Sequence, residues 1–117
     1  IPGLIPRALG QLTRLKTLVL SNNQLIGEIP GQLGSASSLE AIALDNNQLE
    51  GTIPSDLASL FNLKQFEVQN NTDLTGSLDD IFGACDEEDA GPFFRPTFEK
   101  LVADCDRVAC SCCTSCN

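Results

Sequence analysis

Residues 15–30 read LKTLVLSNNQLIGEIP, residues 39–54 LEAIALDNNQLEGTIP and residues 63–78 LKQFEVQNNTDLTGSL, three rows in register at intervals of 24 positions. Leu15, Leu39 and Leu63 open the rows. Leu18, Ile42 and Phe66, then Leu20, Leu44 and Val68, then Asn23, Asn47 and Asn71 keep the same interval. A fixed period between about 20 and 50 residues signals a solenoid. Thr17-Leu18-Val19-Leu20-Ser21 alternates with period two, as a short strand requires, and equivalent strands of successive turns stack into a parallel sheet. Leu15, Leu18, Leu20 and Leu25 then point inward, where one turn alone cannot bury them and its neighbours close the core.

Asn23, Asn47 and Asn71 fall where the chain turns away from the strand. An amide there serves backbone groups of its own coil and the adjacent one, so the three form a structural ladder that satisfies turn amides. Gly3, Gly27 and Gly51 suit a close approach or a positive φ on the next bend, and Gly76 comes one place late because of an extra residue after Asn71. Ile5-Pro6, Ile29-Pro30 and Ile53-Pro54 complete the rows, each Pro where no ladder donor is needed. Leu9 and Leu12, Leu33 and Ala36, and Leu57 and Leu60 follow at a spacing of three, which predicts a short helical or 3-10 piece on the convex side.

The rows resemble the LxxLxLxxNxLxGxIP signature of plant-type leucine-rich repeats, and the LxGxIP half singles out that class. The implied fold is an α/β solenoid, a right-handed coil with short parallel strands on its concave face and 3-10 or helical pieces on its convex face. About three 24-residue repeats and a partial first one occupy residues 1–84. Ile1 aligns with Leu25 and Leu49, so the expectation is a segment of a longer repeat protein.

The spacing breaks after residue 84. Cys85 takes the place of Leu60, and the next strand start falls on Glu88 in the run Asp86-Glu87-Glu88-Asp89, which cannot line a core. Phe94, Phe98, Leu101, Val102 and Cys105 form one apolar face at helical spacing, with Pro96 near its start, and predict a helix across the open end of the last coil. Residues 85–117 are thus expected to be a helical, cysteine-rich C-terminal cap. Its TFEKLVADC and CSCCTSC stretches resemble the caps of extracellular leucine-rich repeat proteins of microalgal type.

Cys85, Cys105, Cys110, Cys112, Cys113 and Cys116 are even in number in a short chain, which predicts three disulfides and an oxidising compartment, with fifteen pairings formally open. A Cys112–Cys113 bond is disfavoured by disulfide geometry. The competing reading is a Cys-only zinc site, against which CxCCxxC lacks two separated ligand pairs.

Composition narrows the chemistry. The chain has 117 residues, 7 Lys or Arg, 16 Asp or Glu and a net charge of −9, and it lacks His, Tyr, Trp and Met. His-based acid–base catalysis, His-activated nucleophiles and His-ligated metals are excluded. No nucleophile, base or metal set clusters, so neither an enzyme nor a cofactor is expected. Scattered cations on an acidic chain give no basic stripe for nucleic acid. No targeting segment is visible and no apolar run approaches the roughly 18 residues of a membrane span, so this segment makes no direct membrane contact. Asp86 to Asp89 lack the alternating spacing of a calcium loop and read as a solvated charge run.

Function is sought on the outward strand positions Thr17, Val19, Ser21, Ala41, Ala43, Asp45, Gln65, Glu67 and Gln69, the candidate concave face. Three five-residue strands about 4.8 Å apart make only about 250 Å², against roughly 800 Å² for each side of a standard interface. A protein or peptide ligand would therefore need upstream repeats as well. The resemblance implies a non-catalytic, extracellular recognition scaffold, secreted or part of an ectodomain, like receptor-kinase ectodomains and secreted inhibitors of wall-degrading enzymes. The alternative is a structural or adhesive cell-surface or matrix component without a specific ligand. Asn70-Asn71-Thr72 is a glycosylation sequon, with Asn70 the acceptor.

Overall fold

The computed structural model describes residues 2–82, 98–111 and 113–116. The period-two stretch of each row becomes a short strand with its middle residue inward, as in the exposed–buried–exposed pattern of Thr17, Leu18 and Val19. Strands β2 (Thr17–Val19), β4 (Ala41–Ala43), β6 (Gln65–Glu67), β8 (Lys100–Ala103) and β10 (Ser115–Cys116) stack in that order as one parallel sheet. Thr17, Ala41, Gln65 and Lys100 are in line across it, as are Val19, Ala43, Glu67 and Val102.

A second parallel sheet runs through the other half of each coil, where the sequence reading placed only bends. It contains β1 (Pro2–Leu4), β3 (Gln24–Gly27), β5 (Gln48–Thr52), β7 (Asp73–Ser77) and β9 (Val108–Ala109). Leu25, Leu49 and Leu74 are its inward residues. Asn22, Asn46 and Asn70 turn the chain from one sheet toward the other at φ of 59°, 58° and 61°, a left-handed conformation that Asn tolerates better than most side chains.

Three 3-10 helices, Arg7–Gln11, Gly31–Ser35 and Ser55–Ser59, form the convex side. The prolines before them hold φ between −66° and −71°, close to the value their ring imposes. Gly10 and Gly34 let these helices touch across coils. A Cβ on Gly34 would lie 2.3 Å from the Asp56 carbonyl oxygen, and one on Gly10 2.0 Å from that of Gln32. In the third coil the equivalent residue is Ala58, and the next limb is a short α-helix, α1 (Leu78–Phe82), with Leu78 and Phe82 buried. Ser77 Oγ accepts the Asp80 N–H at 3.1 Å and caps it.

The core is a column of inward residues from successive coils, with Leu33, Leu39, Leu44, Leu49, Leu57, Leu60 and Phe66 fully buried. Leu12, in the place of Ala36 and Leu60, is 48% exposed because no described coil covers that side. At the other end Phe66 meets Phe82 edge-on, with centroids 5.8 Å apart, and Phe82 meets Phe98 at 5.0 Å.

The expected helix over Phe98 to Cys105 is not formed. Phe98 takes the place of Leu63, Leu101 that of Phe66 and Ala103 that of Val68, and Lys100–Ala103 is the strand β8. Pairing with β6 satisfies the open edge of that strand, which a helix laid across the coil would leave unpaired. The strand array therefore continues past residue 84. Its fourth strand starts 35 positions after Gln65, where earlier strands are 24 apart. Phe94, Pro96 and the run Asp86 to Asp89 lie outside the described residues.

Candidate recognition surface

The outward residues of β2, β4 and β6 form one face, and β8 extends it by a row that the helix reading had hidden: Lys100, Val102 and, just beyond the strand, Asp104. Val19 is 63% exposed, whereas Ala43 and Val102, in line with it, are buried. Thr17 is exposed, and Ser21, Ala41, Asp45, Gln65, Glu67 and Gln69 are half-buried. Lys100 Nζ reaches Glu67 Oε1 at 3.1 Å, a pair between neighbouring strands. Gln69 Oε1 is buried and accepts no hydrogen bond among the described residues.

Where the strands end, the polar groups are joined across the coils. Ser21 Oγ donates to Asp45 Oδ1 at 2.5 Å, Asn46 Nδ2 to Asp45 Oδ2 at 3.0 Å and Asn70 Nδ2 to Asn46 Oδ1 at 2.7 Å. The Asn22 and Asn46 N–H groups donate to the Asp45 and Gln69 carbonyls. The Asn70 N–H donates instead to the Asp104 carboxylate, Oδ2 at 2.9 Å, which Arg107 Nη2 also meets at 3.2 Å. Asp104 thus closes the fourth coil with a side chain where earlier coils use a backbone carbonyl.

Behind this edge lies the asparagine ladder. Asn47 Nδ2 donates to the Leu20 and Leu44 carbonyls, at 2.9 and 3.0 Å, while its Oδ1 accepts the Leu25 N–H at 3.2 Å. Asn71 repeats this one coil later, with the Leu44 and Val68 carbonyls and the Leu49 N–H all at 3.0 Å. Asn23 donates to Leu20 and Ser21 of its own coil. Asn70 is exposed beside the buried Asn71.

Cys105 pairs with Cys116 and Cys110 with Cys113, which fixes two of the bonds left open by the sequence. The first ties β10 to the turn that follows β8, and Thr114 N–H and Oγ1 bond Leu101 alongside it. Asp79 Oδ1, on α1, accepts both Ser111 N–H and Oγ, at 2.8 and 2.9 Å, and anchors the smaller ring. Cys85 and Cys112 lie outside the described residues. Among those described, no group of three or more Cys, Asp or Glu could hold a metal ion, and no helix is long and apolar enough to cross a membrane.

A family model for the leucine-rich repeat matches residues 14–36 and 38–60, the coils whose strands and asparagines are described above. Those two coils are leucine-rich repeats. No curated protein matches it. Among solved structures this leucine-rich repeat chain is similar to the BIR2 ectodomain of Arabidopsis thaliana, at 41% identity over 69% of this chain and 42% of that one, with a TM-score of 0.65. The ectodomain of the Arabidopsis thaliana receptor kinase SOBIR1 matches 85% of this chain and 47% of its own at 29% identity, with a TM-score of 0.65. The Arabidopsis receptor kinase HAESA, solved in complex with the peptide hormone IDA and the co-receptor SERK1, matches at 31% identity, over 65% of this chain and 13% of its own, with a TM-score of 0.61. The repeat chain thus spans less than half the length of each of these ectodomains.

Proposed function

We propose that this chain is a segment of an extracellular, non-catalytic recognition scaffold that holds a protein or peptide ligand on its concave face, together with further repeats. The observation that carries this reading is the four-strand array in which Thr17, Ala41, Gln65 and Lys100, and then Val19, Ala43, Glu67 and Val102, form continuous rows with their backbones bound to one another. Such rows offer a stiff surface whose side chains need little reordering when a partner binds. The similarity to ectodomains, one of them in complex with a peptide hormone and a co-receptor, supports a ligand of that class. The disulfides suit an oxidising compartment, and the exposed Asn70 with Thr72 two places on suits an N-glycan there.

The test is a binding screen of the full-length secreted protein against peptides and proteins of its own extracellular medium, repeated with Val19→Asp and Ala43→Arg. Capture of a ligand lost in both variants supports the reading; a ligand that both variants retain overturns it. The structural or adhesive reading has its own support in the Ser21–Asp45 and Glu67–Lys100 contacts, which consume polar groups of the face internally. Absence of any specific ligand across repeated screens would favour it.

A further inference from the structure

Lys16, Glu40, Lys64 and Glu99 stand at the strand starts of the sheet that carries this face. Their backbones are joined in line: Glu40 N–H donates to Lys16 O, Lys64 N–H to Glu40 O and Glu99 N–H to Lys64 O, each at 2.8 Å. Side chains so placed repeat at the interstrand spacing of about 4.8 Å. Lys16, Lys64 and Glu99 are exposed and Glu40 is half-buried, and none of them takes part in an ion pair among the described residues. Beside them is a shallow depression of about 350 Å³ lined by Thr17, Glu40, Ala41, Lys64, Gln65 and Glu99.

The order of signs along this rim is plus, minus, plus, minus. These four alternating members become their own complement when turned by half a revolution about an axis between the second and the third. Lys16 of one copy then faces Glu99 of the other, and Glu40 faces Lys64, each contact occurring twice and none between like charges. The same axis sets Phe61, 82% exposed on the turn before β6, opposite the second coil of the other copy, where the corresponding positions are the small Ser37 and Ser38. We propose that this rim is a self-complementary contact surface for a second copy of the chain, the two joined about a two-fold axis between the second and third coils. Exposed pairs of this kind are individually weak and screened by salt, so the dimer forms at high protein concentration and low ionic strength.

Sedimentation equilibrium of the whole chain, from about 0.01 M to about 1 M salt, tests this. The expected result is a concentration-dependent dimer that weakens by about tenfold or more as the screening length shrinks over that range. Glu40→Lys and Lys64→Glu each set like charges against one another twice across the axis and yield monomers. An equimolar mixture of the two variants restores association, since each supplies the complement of the other. The double variant Glu40→Lys/Lys64→Glu dimerises like the wild type although alternation along its row is lost, which separates contact between copies from a charge ladder that merely steadies the stack. Circular dichroism checks the fold of each variant, and if one single variant is unfolded, the wild-type salt series and the double variant still decide. A chain that stays monomeric at low salt overturns the proposal, as does a dimer that both single variants leave intact, a mixture that stays monomeric, or a mixed-charge peptide that binds the row of a chain showing no self-association.

Discussion

Where the strands of the concave sheet end, Ser21, Asp45, Asn46, Asn70, Asp104 and Arg107 are linked one to the next across the coils, in front of a buried ladder of amides. Where the same strands begin, Lys16, Glu40, Lys64 and Glu99 are joined through their backbones, and none of them takes part in an ion pair among the described residues. The two edges, five positions apart in each coil, separate structure from display: polar groups held inside the chain contribute to stability, and polar groups held outside it are available to a partner.

The largest effect is expected inside the ladder. Asn71→Ala orphans the Leu49 N–H and the Leu44 and Val68 carbonyls, and urea unfolding should register a loss of about 3 to 5 kcal/mol. Asn23→Ala, at a half-buried site that water can reach, should cost less. Near-equal losses would break the claim that burial of the bridging amide sets the cost. Removing the bond between Cys105 and Cys116, 11 positions apart, should lower stability by about 3 kcal/mol, against about 2 kcal/mol for Cys110 and Cys113, 3 apart, because the smaller ring restrains the unfolded chain less. Thermal unfolding of the serine variants gives both figures.

Asp104→Ala strips the Asn70 N–H and the Arg107 guanidinium of their shared acceptor and should cost about 1 to 3 kcal/mol in the same measurement. Asp104→Asn, which keeps an oxygen there, should recover part of it. The smallest effect is assigned to the other edge: Lys64→Ala should change stability by no more than about 0.5 kcal/mol. A larger loss would mean that the strand starts are also holding the stack together.

The strands that share the 24-residue interval were legible because inward Leu, Ile and Phe recur with it, and the amide ladder because a polar residue inside such a coil has few other uses. The fourth strand was not, although Phe98-x-x-Leu101-x-Ala103 has the spacing of Leu63-x-x-Phe66-x-Val68. Its 35-residue offset took it out of register, and the added apolar Val102 and Cys105 completed a helical pattern that the strand overrode by pairing with an open edge. The second sheet escaped because Gln24-Leu25-Ile26-Gly27 is too short and too mixed to alternate visibly. Asp104, Lys100 and the rim charges became meaningful only once neighbours 24 to 35 positions away were in line.

The glycines of the convex side bear on shape. A solenoid bends when its outer limbs are spaced more widely than its strands. Gly10 and Gly34 let the first three outer limbs come into backbone contact, which keeps that part of the coil shallow. Beyond them Ala58 and the α-helical turn of Leu78–Phe82 occupy the same place, so the bend is expected to be greatest between the third and fourth coils, with a hollow facing a ligand deepening toward the disulfide-bearing end.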